Sequence, residues 1–323
     1  MSDQPFSLPK LAAATADEES AYLFMEGLRW PNGPVCPHCG NTKAYFLTPK
    51  SGDRATGKAG ARSVRRVWKC AKCRKQFSVL TGTIFHGSKI KLQTWVMVMF
   101  AMVSSKNGIS AREIERTYGV DTKTAWFMLH RIREAMKRPP AKLFSANPMR
   151  GTIAVDETFI GGANKNRHAD KKDRSIPKAA VLTLVNKETG EARSKVVPNV
   201  RGHNLKWAIQ QEVHSSSILH TDEAAAYGTF SWMFAGHETV NHAAGEYSRL
   251  SGKVTSNQAE NFFSQLKRSL DGTHHHVSQE HLPRYLAEFD FRYSTREMDD
   301  SARMRRLMGQ TGGRRLTYRS IME

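Results

Sequence analysis

The sequence predicts a multidomain α+β protein, and three observations carry that prediction. Its four cysteines form two Cys-x-x-Cys pairs, Cys36/Cys39 and Cys70/Cys73. Behind them, helix-period apolar segments run to about residue 136 and stop at Pro139-Pro140. The remainder alternates short β-branched runs with helical ones, and two of the strand-like runs end in an acid.

Composition narrows the partners. The 323 residues hold 49 Lys+Arg against 30 Asp+Glu, a net charge of +19 with a pI near 10.0. Such a balance favours a polyanion, and nucleic acid is the commonest one. The longest apolar run, residues 95–103, is too short to span a bilayer. The first residues also lack the basic-then-apolar order of a secretion signal, so no membrane partner is expected.

Without a secretion signal the cysteines are expected to stay reduced. Two such knuckles place four thiolates tetrahedrally around one structural Zn²⁺. A zinc ribbon is therefore expected over residues 18–80, with Val67, Trp68, Phe77 and Val79 in its short strands. A pair of disulfides or a redox dithiol is the competing reading. Between the knuckles, Lys50, Arg54, Lys58, Arg62, Arg65 and Arg66 stand among Gly and Ser with one acid, Asp53. That composition reads as a mobile basic loop, solvated or touching phosphates.

Residues 88–140 read as a helical DNA-binding region. A mostly apolar helix over 91–104 is ended by Gly108. Ser110-Ala111-Arg112-Glu113 has the form of a capping box, opening a helix that runs through Tyr118 and stops at Gly119. A third helix starts at Asp121 or Thr122, with Ala125, Leu129, Ile132 and Met136 at helical spacing. Two helices joined by a short turn at Gly119-Val120 read as a helix-turn-helix. Lys123, Thr124, His130, Arg131 and Arg133 would then lie on the exposed side of the recognition helix. A plain three-helix packing module fits the same pattern.

The segment 148–300 opens with Thr152 to Ile160, a buried-strand pattern that carries Asp156 and stops at Gly161-Gly162. A carboxylate there is costly to bury without a cation, which directs attention to acids that could share a metal with it. One is Asp222, at the end of the strand-like run 216–223. Another is Glu260, in a helix-period segment over 257–268. There Ala259, Phe263, Leu266 and Leu270 fall on one face, and Glu260, Ser264, Lys267 and Asp271 on another. Strands are also expected at 179–185 and 192–197, a helix at about 203–213, and a further short strand at 237–241. A basic insertion spans 164–178. Three meandering strands, a helix, a strand with an acid and a later helix with an acid make the order of a ribonuclease H-like α/β domain with a mixed sheet. Residues 301–323 are left as a basic C-terminal tail.

Each acid has a plainer reading. Glu260 suits a helix start, where it faces the positive end of the dipole. Strand alternation sends Glu157 and Glu223 to the faces opposite their aspartates. Glu246 is the best rival as a third ligand. His274-His275-His276 is expected to pack or to contact DNA, and Trp207, Trp232, Phe262 and Phe291 to be core residues.

Several runs together resemble one family. They are the cysteine-bearing head, Val155-Asp156-Glu157-Thr158-Phe159-Ile160-Gly161-Gly162, Thr221-Asp222-Glu223-Ala224-Ala225-Ala226-Tyr227, the run 256–268, the run from Gly272 to Ser278, and Phe289-Asp290-Phe291-Arg292-Tyr293. The chain is similar, from about residue 18 to 296, to bacterial insertion-sequence transposases of the ISXO type, which carry a zinc-binding N-terminus and a DDE catalytic domain. The resemblance implies that Asp156, Asp222 and Glu260 are the DDE triad, with Lys267 the basic residue that accompanies it. Such triads hold two Mg²⁺ (or Mn²⁺) ions about 3.5–4 Å apart. Lys123, Thr124, His130, Arg131, Lys267 and Arg268 are the expected DNA contacts. The activity implied is binding of an element's terminal inverted repeats, metal-assisted hydrolysis at its ends, and joining of the freed 3′-OH to target DNA. Double-stranded DNA, a second copy of the chain when two ends are synapsed, and a place in the bacterial cytoplasm at the nucleoid go with it. A purely hydrolytic ribonuclease H-like nuclease is an alternative. So is a zinc-ribbon and helix-turn-helix transcription regulator with an inactive nuclease domain.

Overall fold

A computed structural model describes residues 5–47, 66–138, 147–161, 178–222, 225–240, 255 and 257–317. The chain divides into two compact units. The first gathers the residues up to 105, then 109–136, and the chain from 298 onward; the second holds 106–108 and 137–297.

The first unit opens with α1 (Leu8–Ala14) and α2 (Glu18–Arg29). Asp17 caps α2, accepting from the Ser20 N–H at 2.8 Å. A small antiparallel sheet follows, β1 (Ala44–Phe46), β2 (Trp68–Cys70) and β3 (Gln76–Phe77), in that order. Glu26 of α2 is buried, and its carboxylate accepts from Arg66 Nε and Trp68 Nε1, each at 2.9 Å. A buried acid that is doubly satisfied ties helix to sheet. Arg66, expected in the basic loop, is held there and also lies over the Phe46 ring at 4.5 Å. The other basic residues named for that loop, Lys50 to Arg65, fall outside the described residues.

Next come α3 (Leu92–Ser104), α4 (Ala111–Tyr118) and α5 (Thr122–Met136). The N-terminal amides of α3 are capped from another helix, since Glu18 accepts from the N–H of Leu92 at 2.7 Å and of Gln93 at 3.1 Å. Ser110 caps α4 through the Glu113 N–H at 3.1 Å, and Gly119 ends it in the left-handed conformation, φ 64°. Asp121 accepts from the N–H groups of Lys123 and Thr124 to start α5.

In the second unit the elements are β4 (Thr152–Ile160), β5 (Ala179–Asn186), β6 (Ala192–Val197), α6 (Gly202–Gln210), β7 (Ile218–Asp222), α7 (Ala225–Gly228), β8 (Gly236–Val240), α8 (Asn257–Ser269) and α9 (Leu282–Ser294). The sheet has the order β6-β5-β4-β7-β8. It is mixed: β4, β5 and β6 form an antiparallel meander, whereas β7 and β8 run parallel to β4. Strand alternation gives both faces a core. Ile153, Val155, Leu182, Leu184 and Leu219 pack under α6 and α7. On the other face Ala154, Val181 and Val185 pack under α8 and α9.

The chain then returns to the first unit as α10 (Asp300–Gly309), which packs on α2, α3 and α5 with Met304, Leu307 and Met308 fully buried. This corrects the expectation of a basic tail over 301–323. α10 carries three arginines, but Met304, Leu307 and Met308 at helical spacing are enough to seat it. No helix among the described residues is long and apolar enough to cross a membrane.

Candidate active site

The cysteine cluster is built from two matching turns. In each, the residue after the second cysteine has positive φ, Gly40 at 72° and Arg74 at 62°. The N–H of each donates to the first cysteine's carbonyl, Gly40 to Cys36 at 2.9 Å and Arg74 to Cys70 at 3.1 Å. The four sulfurs lie within 4.8 Å of one another, with Cys36 to Cys73 at 3.7 Å and Cys39 to Cys70 at 3.6 Å. Four tetrahedral zinc–sulfur bonds of about 2.3 Å would set them roughly 3.8 Å apart, so the donors fit one zinc. Hydrogen bonds led by that from the Cys73 N–H lower the Cys70 thiol to about 6, towards the thiolate a metal needs, whereas burial and the neighbouring thiols push Cys73 up to about 11.

Asp222 and Glu260 lie near enough to Asp156, at one end of the larger sheet, to act on it by charge, although among the described residues only the four cysteines stand close enough together to share one ion. β4 and β7 are parallel neighbours in the register Thr152 to Ile218 and Ala154 to His220, which, continued, sets Asp156 beside Asp222. α8 buries Ala259, Phe262, Phe263 and Leu266 against the same sheet face as Ala154. Its other side presents Glu260, Lys267 and Arg268 to solvent. Burial first, and then the charges of Glu157, Asp222 and Glu260, push the Asp156 carboxyl up to about 7 against the Glu157 N–H, which donates to Oδ1 at 2.7 Å. Asp222 and Glu260 therefore both act electrostatically on Asp156. Negative charge so gathered is what a cation relieves.

Glu157 points to the other face of β4. Its carboxylate accepts from Tyr227 Oη, and burial raises it; Tyr227 is itself buried in the core beneath α6. The sequence reading had no role for this pair. Nor does the sequence assign a role to Asp290 beyond its place in the run 289–293; its carboxylate accepts from the Ser194 N–H at 2.8 Å and Oγ at 2.7 Å and is pushed up to about 7 by burial. The available signal was an acid set within the apolar stripe of α9. Glu223 and Glu246 lie outside the described residues.

Of the basic residues on α8, Lys267 is exposed, while Arg268 folds back on Ser264, donating to its carbonyl at 3.2 Å and its Oγ at 3.0 Å. The ring of His274 packs on Tyr285 at 4.9 Å, and His275 and His276 are exposed. Phe262 and Phe291 are core residues, but Trp207 and Trp232 are not, at 62% and 77% exposed. Trp207 stands on the outer side of α6 beneath Lys195 Nζ, 5.4 Å from its ring, and Trp232 sits on a single 3₁₀ turn, Ser231–Met233. A cavity of about 270 Å³, lined by Gln210, Val213, His214 and Phe234, lies at the opposite end of the strands from the acids.

A second correction concerns α5. His130 is 0% exposed, Arg131 5% and Arg133 1%, so they do not form an outward DNA-reading side. The chain on either side of the helix covers them. Arg131 Nη2 donates to the His86 carbonyl at 2.6 Å, Arg314 Nη1 to that of Glu134 at 2.7 Å, and His130 stacks on Trp126 at 4.1 Å. Lys123 remains exposed and Thr124 half-buried.

Two known domains match the chain in the order just described. The transposase zinc-ribbon domain matches residues 16–76, and the ISXO2-like transposase domain matches 148–294. The chain is also similar to an uncharacterized protein in transposable element ISH50 of Halobacterium salinarum. Identity is 25% over 288 residues, which cover 85% of this chain and 90% of the relative. With a four-cysteine ribbon ahead of a mixed sheet that gathers acids at one end, the chain belongs to the ISXO-type family of insertion-sequence transposases.

Proposed function

We propose that this chain binds the terminal inverted repeats of an insertion sequence, hydrolyses the DNA at the element's ends and joins the freed 3′-OH to target DNA. The observation that carries the reading is the parallel register of β4 and β7, which when continued sets Asp156 beside Asp222, together with an Asp156 carboxyl raised to about 7 by burial first and then by the charges of Glu157, Asp222 and Glu260. The strand order supports a ribonuclease H-like catalytic domain, and α4 and α5 with their left-handed turn support a helix-turn-helix.

Asp156, Asp222 and Glu260 would hold Mg²⁺ or Mn²⁺, for which three hard carboxylates from separate elements are the right donors. Two such ions, when bound, supply a more acidic attacking oxygen and a counter-charge for the leaving one. The chain's own residues prepare the place. The Glu157 N–H orients Asp156, and the Tyr227 hydroxyl anchors Glu157 behind it, so the strand end is fixed before DNA arrives. Lys267 and Arg268 set positive charge along α8 for the phosphates. A pair of chains would bring two element ends together.

Asp156→Asn, Asp222→Asn and Glu260→Gln keep shape and remove charge. Each is expected to lower end cleavage and strand transfer together by roughly 10²–10³-fold or more while leaving DNA binding intact. Activity should need Mg²⁺ or Mn²⁺ and disappear in Ca²⁺, whose looser coordination does not suit octahedral chemistry. Cleavage without any joining would point instead to a hydrolytic nuclease. Strand transfer retained by Glu260→Gln and lost in Glu246→Gln would move the third ligand.

A further inference from the structure

The first unit contains a cavity of about 350 Å³ against α5. Its walls are the loop 86–90, Trp95, the α5 positions Thr124, Phe127, Met128 and Arg131, and the segment 315–317. Those four α5 positions form one stripe of the helix. Lys89, Arg131 and Arg315 line the cavity, and no Asp or Glu does.

Arg131 is the unusual member. It is 5% exposed, yet among the described residues its polar contact is the single bond from Nη2 to the His86 carbonyl. Its Nε is buried without a hydrogen-bond partner, and among the described residues no carboxylate is paired with it. The rings of Phe127 and Trp95, 5.1 and 5.9 Å from the guanidinium carbon, hold it in place without neutralising it. Burial first, and then the like charge of Arg315, lowers it to about 10. A buried guanidinium with no counter-ion is costly, and a planar fork held rigid with a free N–H suits an oxyanion.

We propose that this cavity is a phosphate site, in which Arg131 from within and Lys89 and Arg315 at the rim hold one phosphodiester of bound DNA. The DNA source rests on the function proposed above; the phosphate chemistry stands apart from it. Such a contact positions DNA and reads no base.

The test uses the full chain with two probes, a short duplex of arbitrary sequence and dAMP as a free nucleotide. Arg315→Gln, at an exposed position, should weaken duplex binding about 3–10-fold and reduce the slope of log Kd against log salt by about one. Arg131→Gln, where circular dichroism shows it folded, should do the same, and the exposed control Lys10→Gln should leave the slope alone. An unchanged slope in Arg315→Gln overturns the DNA assignment whether or not the Arg131 variant folds. Tight dAMP binding that Arg315→Gln abolishes, with the duplex slope unchanged, would transfer the site to a free nucleotide. If the native chain binds no duplex at all, the function proposed above fails; the dAMP arm then decides the cavity, and no binding there overturns it.

Discussion

Ser194 on β6 and Asp290 on α9 join helix to sheet through one enclosed carboxylate. Its pKa is raised from 3.8 to about 7 by burial, so the folded chain binds that proton more tightly than the unfolded one. Between about pH 4 and 7 the native state keeps a proton that the unfolded chain has released. Stability from this group is therefore greatest at the acid end of that window, falls as pH rises to 7, and is level above it. Asp290→Asn has no proton to lose. Relative to the native protein, its unfolding free energy should rise by more than about 1 kcal/mol between pH 5 and pH 8, measured by urea denaturation at both. A difference between the two proteins that does not change with pH would refute the assignment. Asp156 is shifted the same way by burial and by its neighbouring acids, but a bound cation would reverse it, so Asp290 gives the cleaner reading.

At the scale of elements, the ribbon's four sulfurs fit one metal and the helices rest on their end caps. Strands β1 to β3 are two or three residues long and bury little, so the four sulfurs are the main constraint on residues 36–47 and 66–77. Structural zinc contributes on the order of 10 kcal/mol. Metal analysis should find one zinc per chain, and Cys70→Ser should release it and expose residues 30–47 and 66–80 to protease while the second unit stays resistant. An unchanged digestion pattern would show that the Glu26 bonds to Arg66 and Trp68 suffice without metal. The cap of α4 could be read from Ser110 and Glu113, because donor and acceptor are three residues apart. That of α3 could not, since Glu18 reaches it from 74 residues earlier.

For the whole molecule, the decisive feature is that the chain comes back. Residues 298–317 complete the unit begun by the N-terminus, with Leu307 fully buried among α2, α3 and α5. Leu307→Ala should cost about 2–5 kcal/mol, read as a lower melting temperature of the first unit. A loose tail would show a change within about 0.5 kcal/mol. Truncation after residue 297 should consequently weaken the ribbon and helical region, although the residues removed are far from both in sequence.

The sequence alone determined the elements whose signals are local. Short apolar, β-branched runs set β4, β5 and β6 to within a residue or two, Ser110 and Gly119 bounded α4, and the Cys-x-x-Cys spacing assembled the thiolate cluster. It also singled out Asp156, Asp222 and Glu260, because acids at strand ends and on the polar side of a helix stand out from the apolar pattern around them. Only the tertiary structure decided which surfaces survive. The parallel pairing of β4 with β7 brings two aspartates together, and that is a choice of partner rather than of propensity. Burial of Arg131 follows from a carbonyl 45 residues away, and that of the end of α5 from an arginine 180 residues away. Trp207 and Trp232 are exposed for the converse reason, since among the described residues no distant segment closes over them. A helix's periodicity states which side can face a core, but the number of sides that do is set by chain that arrives from elsewhere.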